Sequence, residues 1–211
     1  MSFRNLVCII GISVFLSAAG VAQAVTAEKG NVCGKGGVCS VAPKAGSSDD
    51  YYDKGVALGS QGKFKESIPM FKKAAEIDPN NAEAYNAWGI SLVNTGKVDE
   101  ALDKYKKAAS IDPKMVKTYY NWGNALNSVK RYDEAIAKYK KATELDPKFS
   151  YAFNGWGLAL ASQGHFDEAI AKLKKVVALD PSNAADTNKI IERLQDMKAM
   201  HGKNPVTRKK K

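Results

Sequence analysis

Only a few side chains in this chain have the chemistry to react, and the two that stand closest in sequence are Cys33 and Cys39. They flank the five residues Gly34-Lys35-Gly36-Gly37-Val38, a flexible stretch that lets two thiols meet. In an exported chain such a pair most simply forms a disulfide. Two rival readings stay open: free thiols doing redox work, and a metal site. The metal reading has no nearby His or Asp to complete a four-ligand zinc set. Cys8 lies far upstream, and the only histidines are His165 and His201. Neither has a catalytic nucleophile or carboxylate partner legible from the sequence. There is no phosphate-cradling glycine loop, haem-attachment pair or metal-ligand cluster. These residues imply a chain that is not an enzyme, with no catalytic residues, no metal site and no cofactor.

The first 24 residues have a different character. Arg4 is followed by an apolar run from Leu6 to about Gly20, and Ala22-Gln23-Ala24 offers small residues for cleavage. That is the layout of a secretory signal peptide. Its apolar run is short of the ~20 residues that span a membrane, which favours cleavage before Val25 over retention as an anchor. The expectation is an exported protein, periplasmic or secreted, with no membrane span after cleavage. The net charge of +10 would otherwise suggest nucleic acid, but export turns it toward acidic proteins or anionic envelope surfaces.

What positions the remaining polar residues is a repeat. Ile77-Asp78-Pro79, Ile111-Asp112-Pro113, Leu145-Asp146-Pro147 and Leu179-Asp180-Pro181 recur every 34 residues. Gly55, Gly89, Gly123 and Gly157 keep the interval, as do Trp88, Trp122 and Trp156. The units are 48–81, 82–115, 116–149 and 150–183. Within the second, Tyr85, Trp88, Gly89 and Leu92 share one helix face, and Gly96 breaks the pattern. Asp99 and Glu100 then open a second helix at its positive end. Ala101, Tyr105, Ala108 and Ile111 form the buried stripe of that helix. Asp112-Pro113 stops it, because a residue before proline leaves the helical region. The tryptophans read as core.

These marks resemble the tetratricopeptide repeat family over residues 48–183. Tyr85, Tyr119 and Phe153 hold its first aromatic slot, tryptophan takes its leucine slot, and Tyr105 and Tyr139 hold its later aromatic slot. The first unit departs, with Lys54 in the tryptophan slot, Ser67 in the alanine slot and Pro69 early in its second helix. The resemblance implies an all-α fold, an α-solenoid superhelix of four helix-turn-helix repeats closed by a C-terminal capping helix. That cap falls at 184–200, where Ile190, Ile191, Leu194 and Met197 make a half-apolar helix. Residues 25–47 read as a flexible Gly/Ser-rich segment carrying the cysteine pair, and 201–211 as a basic disordered tail.

In the family, the first helix of each unit lines the concave groove. The positions that face it here hold Tyr52, Asn86, Ile90, Asn94, Lys117, Tyr120, Asn121, Asn124, Asn127, Tyr151, Asn154 and Leu158. Asparagine amides both donate and accept, which suits a peptide backbone, and tyrosine has an apolar body with a polar tip. The family's two-carboxylate clamp for chaperone C-termini does not match. Tyr52 and Val56 stand in its first-unit Lys and Asn slots and Ala87 in its second-unit Asn slot. Of its third-unit pair, only Lys117 agrees. The expected function is a scaffold or adaptor that binds an extended protein or peptide segment in the groove. The alternative is a basic surface binder using a ridge of Lys72-Lys73, Lys106-Lys107, Lys140-Lys141 and Lys174-Lys175 together with the tail Arg208 to Lys211. A third reading is thiol redox work by the cysteines.

Overall fold

The computed structural model describes residues 31–33, 39–41 and 46–203, and the leader and the last eight residues lie outside them. The chain divides into two units, Met1–Ala42 and Pro43–Lys211. In the first, β1 (Asn31–Cys33) pairs antiparallel with β2 (Cys39–Val41). Cys33 stands opposite Cys39, and Asn31 opposite Val41. The segment read as flexible therefore contains paired backbone. Val32 and Val41 supply β-branched residues that favour a strand, and the glycines fall between the strands rather than in them.

The second unit is helical: α1 (Ser48–Ser60), α2 (Phe64–Ile77), α3 (Ala82–Asn94), α4 (Val98–Ile111), α5 (Val116–Ser128), α6 (Tyr132–Leu145), α7 (Ser150–Ser162), α8 (Phe166–Leu179) and α9 (Ala184–Lys203). A 3₁₀ turn over Pro181–Asn183 leads into α9. The cap thus runs three residues into the stretch read as tail. No helix among the described residues is long and apolar enough to cross a membrane.

Local chemistry explains the boundaries. Asp78, Asp112 and Asp146 end the second helices in extended backbone, as the proline after each requires. Each carboxylate then accepts from the backbone N–H two residues on, at 2.9 Å, which turns the chain toward the next helix. The second helices start at Lys63, Lys97, Arg131 and His165 without a side-chain cap. Acidic first turns such as Asp99-Glu100 and Asp133-Glu134 offset the loss by meeting the helix dipole. Between paired helices, Gly62, Gly96 and Gly164 adopt positive φ, and Lys130 takes the same conformation in the third unit, with φ 62°.

Each helix packs on the next in the chain, and α1, α3, α5 and α7 also touch one another in series. A layer whose members meet directly has the shorter path, so the first helices form the inner side of the superhelix. The core lies between layers, filled by Phe71, Leu92, Tyr105, Leu126, Tyr139 and Leu173. Glycine makes room for these rings: a Cβ on Gly89 would stand 2.6 Å from Tyr105. Of the stripe expected on α4, Ala101, Tyr105 and Ala108 are buried, while Ile111 is half-buried. On the cap, Ile191 and Leu194 are buried against α8 residues, whereas Met197 is exposed. Ser67 is explained by a buried hydroxyl partner, Ser91, at 2.8 Å across the first two units.

The tryptophans correct the sequence reading. Trp88, Trp122 and Trp156 pack against the core clusters but are only half-buried. A lysine covers each ring: Lys104, Lys138 and Lys172 place Nζ 4.2, 3.7 and 3.7 Å from the ring centroids. These contacts are cation–π pairs within one repeat, and burial pushes the Lys138 ammonium below its ordinary pKa. The first unit loses both members at once, with Lys54 in the tryptophan position and Met70 in the lysine position.

Candidate partner-binding groove

The twelve residues named from sequence fall on the four inner helices: Tyr52 on α1, Asn86, Ile90 and Asn94 on α3, five on α5 and three on α7. Asn94, Lys117, Asn124, Tyr151 and Leu158 are exposed, and the rest are half-buried. They do not behave alike. Asn121 Nδ2 donates to Asn86 Oδ1 at 3.1 Å across adjacent repeats. That bond fixes both amides and leaves Asn86 Nδ2 as a donor and Asn121 Oδ1 as an acceptor. Asn124 Oδ1 accepts from the Tyr139 hydroxyl at 2.8 Å, so its Nδ2 is the outward group. The groove floor in the third repeat is therefore built partly by a residue of the outer helix.

Downstream the surface turns aromatic. Tyr120 meets Phe149 edge-on at 5.4 Å and Tyr151 at 6.2 Å, while Phe149 and Tyr151 lie 5.6 Å apart. Tyr151 is 59% exposed, so the cluster presents a ring that its neighbours hold in place. Beside it Tyr151 and Asn154 line a cleft of about 280 Å³ shared with Asp180, Asp186, Thr187 and Ile190. Hydrogen bonds from Ser182 and Asn183 hold the Asp180 carboxyl below the usual range, so it is ionised at neutral pH.

Other named residues serve the fold more than the surface. Asn94 turns back to the Ile90 carbonyl at 2.9 Å. Ile90 packs against the second-repeat core. Asn127 Oδ1 is buried with no hydrogen-bond partner among the described residues. Tyr52 packs on Phe71 at 5.9 Å, and burial, with Glu83 and Asp53 nearby, raises its phenol pKa. The sequence reading placed Val56 in a clamp slot but left it out of the groove, and it did not name Phe149. Val56 is 44% exposed at the position equivalent to Ile90 and Leu158, a signal the 34-residue register did carry. Phe149 precedes α7 in a loop, where helical periodicity says nothing about facing.

The lysine ridge is less free than its spacing suggests. Lys72 and Lys73 pair with Glu76, and Lys141 with Glu144. Lys107 and Lys175 lie 6.0 and 4.4 Å from the centroids of Tyr85 and Phe153. In α4 the lysines 104, 106 and 107 are matched by Asp99, Glu100 and Asp103.

Family models described as tetratricopeptide repeat match residues 48–81, 70–103 and 150–183, and one described as TPR repeat matches 89–129 and 123–164. Together they tile residues 48–183. The chain belongs to the tetratricopeptide repeat family. No curated protein matched the sequence. Among solved structures, this tetratricopeptide repeat chain is similar to "Crystal structure of MamA protein", with TM-score 0.62, 24% identity, and coverage of 76% of this chain and 88% of that one. It is also similar to "MamA 41-end from Desulfovibrio magneticus RS-1", with TM-score 0.59, 21% identity, and coverage of 71% and 96%. A third is "Crystal structure of YrrB: a TPR protein with an unusual peptide-binding site", with TM-score 0.58, 24% identity, and coverage of 76% and 93%. These likenesses concern the fold.

Proposed function

We propose that this protein is an interaction scaffold that holds an extended segment of a partner protein along its inner helices, and that it works in the cell envelope. The observation that carries the reading is the path of fixed groups from α3 to α7. Asn86 and Asn121 offer one donor and one acceptor, Asn124 offers a donor, and the Tyr120–Phe149–Tyr151 cluster follows. Backbone peptide groups of an extended chain present one carbonyl and one N–H per residue, which the amides complement. The ring cluster suits an apolar side chain of the same segment, since exposed, rigid aromatics make good anchors. YrrB, a TPR protein with an unusual peptide-binding site, supports the same use of this fold. The leader layout is the support for the envelope.

The basic-surface alternative is less well supported, because carboxylates or rings engage five of the eight ridge lysines, Lys72, Lys73, Lys107, Lys141 and Lys175. Exposed pairs of this kind contribute little individually, about 0–1 kcal/mol. The test starts from proteins captured by the full chain from an envelope fraction. Tyr151→Ala with Asn154→Ala should weaken binding of the captured partner at least tenfold, about 1.4 kcal/mol. Lys140→Ala with Lys141→Ala should change it slightly, and raising salt should have a modest effect. Both variants must keep the parent's helical content and melting. Retained binding in the groove variant, with loss in the ridge variant, sinks the scaffold reading.

A further inference from the structure

We propose that Cys33 and Cys39 are joined in an intramolecular disulfide that closes the β1–β2 hairpin. The backbone register carries this: Cys33 is the antiparallel partner of Cys39, at the loop end of both strands. Facing residues in antiparallel pairs have Cα atoms about 4.5–5.5 Å apart, inside the ~4.4–6.8 Å that disulfides span. Strand alternation makes the match specific, since a slip of one residue would send one cysteine to the other face of the ribbon.

The sequence between the strands suits closure. Three of its five residues are glycine, and a short loop costs little entropy to close. The strands themselves are three residues each, and a two-stranded hairpin is marginal in water at any length. A covalent bond at the loop end removes the open forms with which the paired state competes. Binding zinc instead would take about four ligands, and no group of three metal-ligating side chains gathers among the described residues.

The chemistry balances through thiol–disulfide exchange. One cysteine thiolate attacks the sulfur of an oxidant disulfide, small-molecule or protein, and releases one thiol from it. The second thiolate then attacks the mixed disulfide, forms the Cys33–Cys39 bond and releases the other thiol. Two thiol protons and two electrons leave the protein, and the oxidant disulfide becomes two thiols.

The sequence permits a direct assay. Trypsin cuts after Lys29, Lys35 and Lys44, so residues 30–35 and 36–44 separate unless a disulfide joins them. The full chain is equilibrated with glutathione disulfide, alkylated with iodoacetamide and digested without reduction. The expected result is a joined pair of peptides from monomeric protein, resolved into two by reduction. Hydrogen exchange at 31–33 and 39–41 should be slower before reduction than after. Cys33→Ser should leave Cys39 as a free thiol or a glutathione mixed disulfide, with peptides 30–35 and 36–44 no longer joined. Separate alkylated peptides, a joined pair found only in a covalent dimer, or exchange unmoved by reduction would each overturn the proposal.

Discussion

The Tyr139 ring fills the space over Gly155 of the next repeat so closely that a Cβ there would stand 2.7 Å from it. Tyr139 is 1% exposed and has nowhere to retreat. Gly155→Ala should therefore destabilise the array by up to about 2 kcal/mol: overpacking costs ~1–3, offset by the ~1 gained in helix propensity. Gly59 on α1 has nothing within 4 Å of such a Cβ, so Gly59→Ala should stabilise by about 0.5–1 kcal/mol. Chemical denaturation of the two variants reads both signs, and equal shifts would show that the ring is not wedged.

Lys130 occupies the turn position that glycine fills in the other three repeats. A side chain in left-handed backbone costs ~1–2 kcal/mol, and glycine's greater unfolded-state freedom returns part of that. Lys130→Gly should thus raise stability by about 0.5–1 kcal/mol. A lower melting midpoint would mean the lysine is held there by a favourable contact.

Trp122→Ala should cost less than the ~3–5 kcal/mol of a fully buried ring, because a lysine rather than a helix covers one face. Coupling is the sharper readout. A double-mutant cycle with Lys138→Met, which keeps an apolar stem as Met70 does in the first repeat, should give about 0.5–2 kcal/mol. Additive losses would show that Lys138 merely passes over the indole.

Burial raises the pKa of both Tyr105 and Tyr139 well above the ordinary phenol value. In the unfolded chain they ionise near pH ~10. Folded stability from these phenols is complete below that pH and is lost as pH rises toward the folded values. Absorbance at the phenolate band should therefore show these two ionising together with loss of helicity. Tyr105→Phe should move the alkaline midpoint upward, and phenolate formation in both residues within a fully helical array would contradict this.

The sequence made the architecture readable because a repeat states its own boundaries. Asp-Pro stops and glycine turns recur in register, so four units and their helix pairs follow from spacing alone. The family resemblance set the groove positions on the first helix of each unit, yet it could not say which amides were already occupied. Asn86 and Asn121 meet across a seam between repeats, and Asn124 is met by Tyr139 from the outer layer, a through-layer contact no helical wheel displays. The tryptophans misled for a related reason: periodicity marks the face turned to the neighbours, but the covering atom proved to be a lysine ammonium. The hairpin was missed because strands of three residues are too short to show alternation.

The lysine–tryptophan pairs close within single repeats, while Ser67–Ser91, Asn86–Asn121 and Tyr139–Gly155 stitch one repeat to the next. That division sets the mechanics of the array. Pulled from its two ends, it would yield first at the stitched seams, where helices shift against each other while each helix pair stays shut. Such a body would stretch and twist as a spring, its pitch set at the seams.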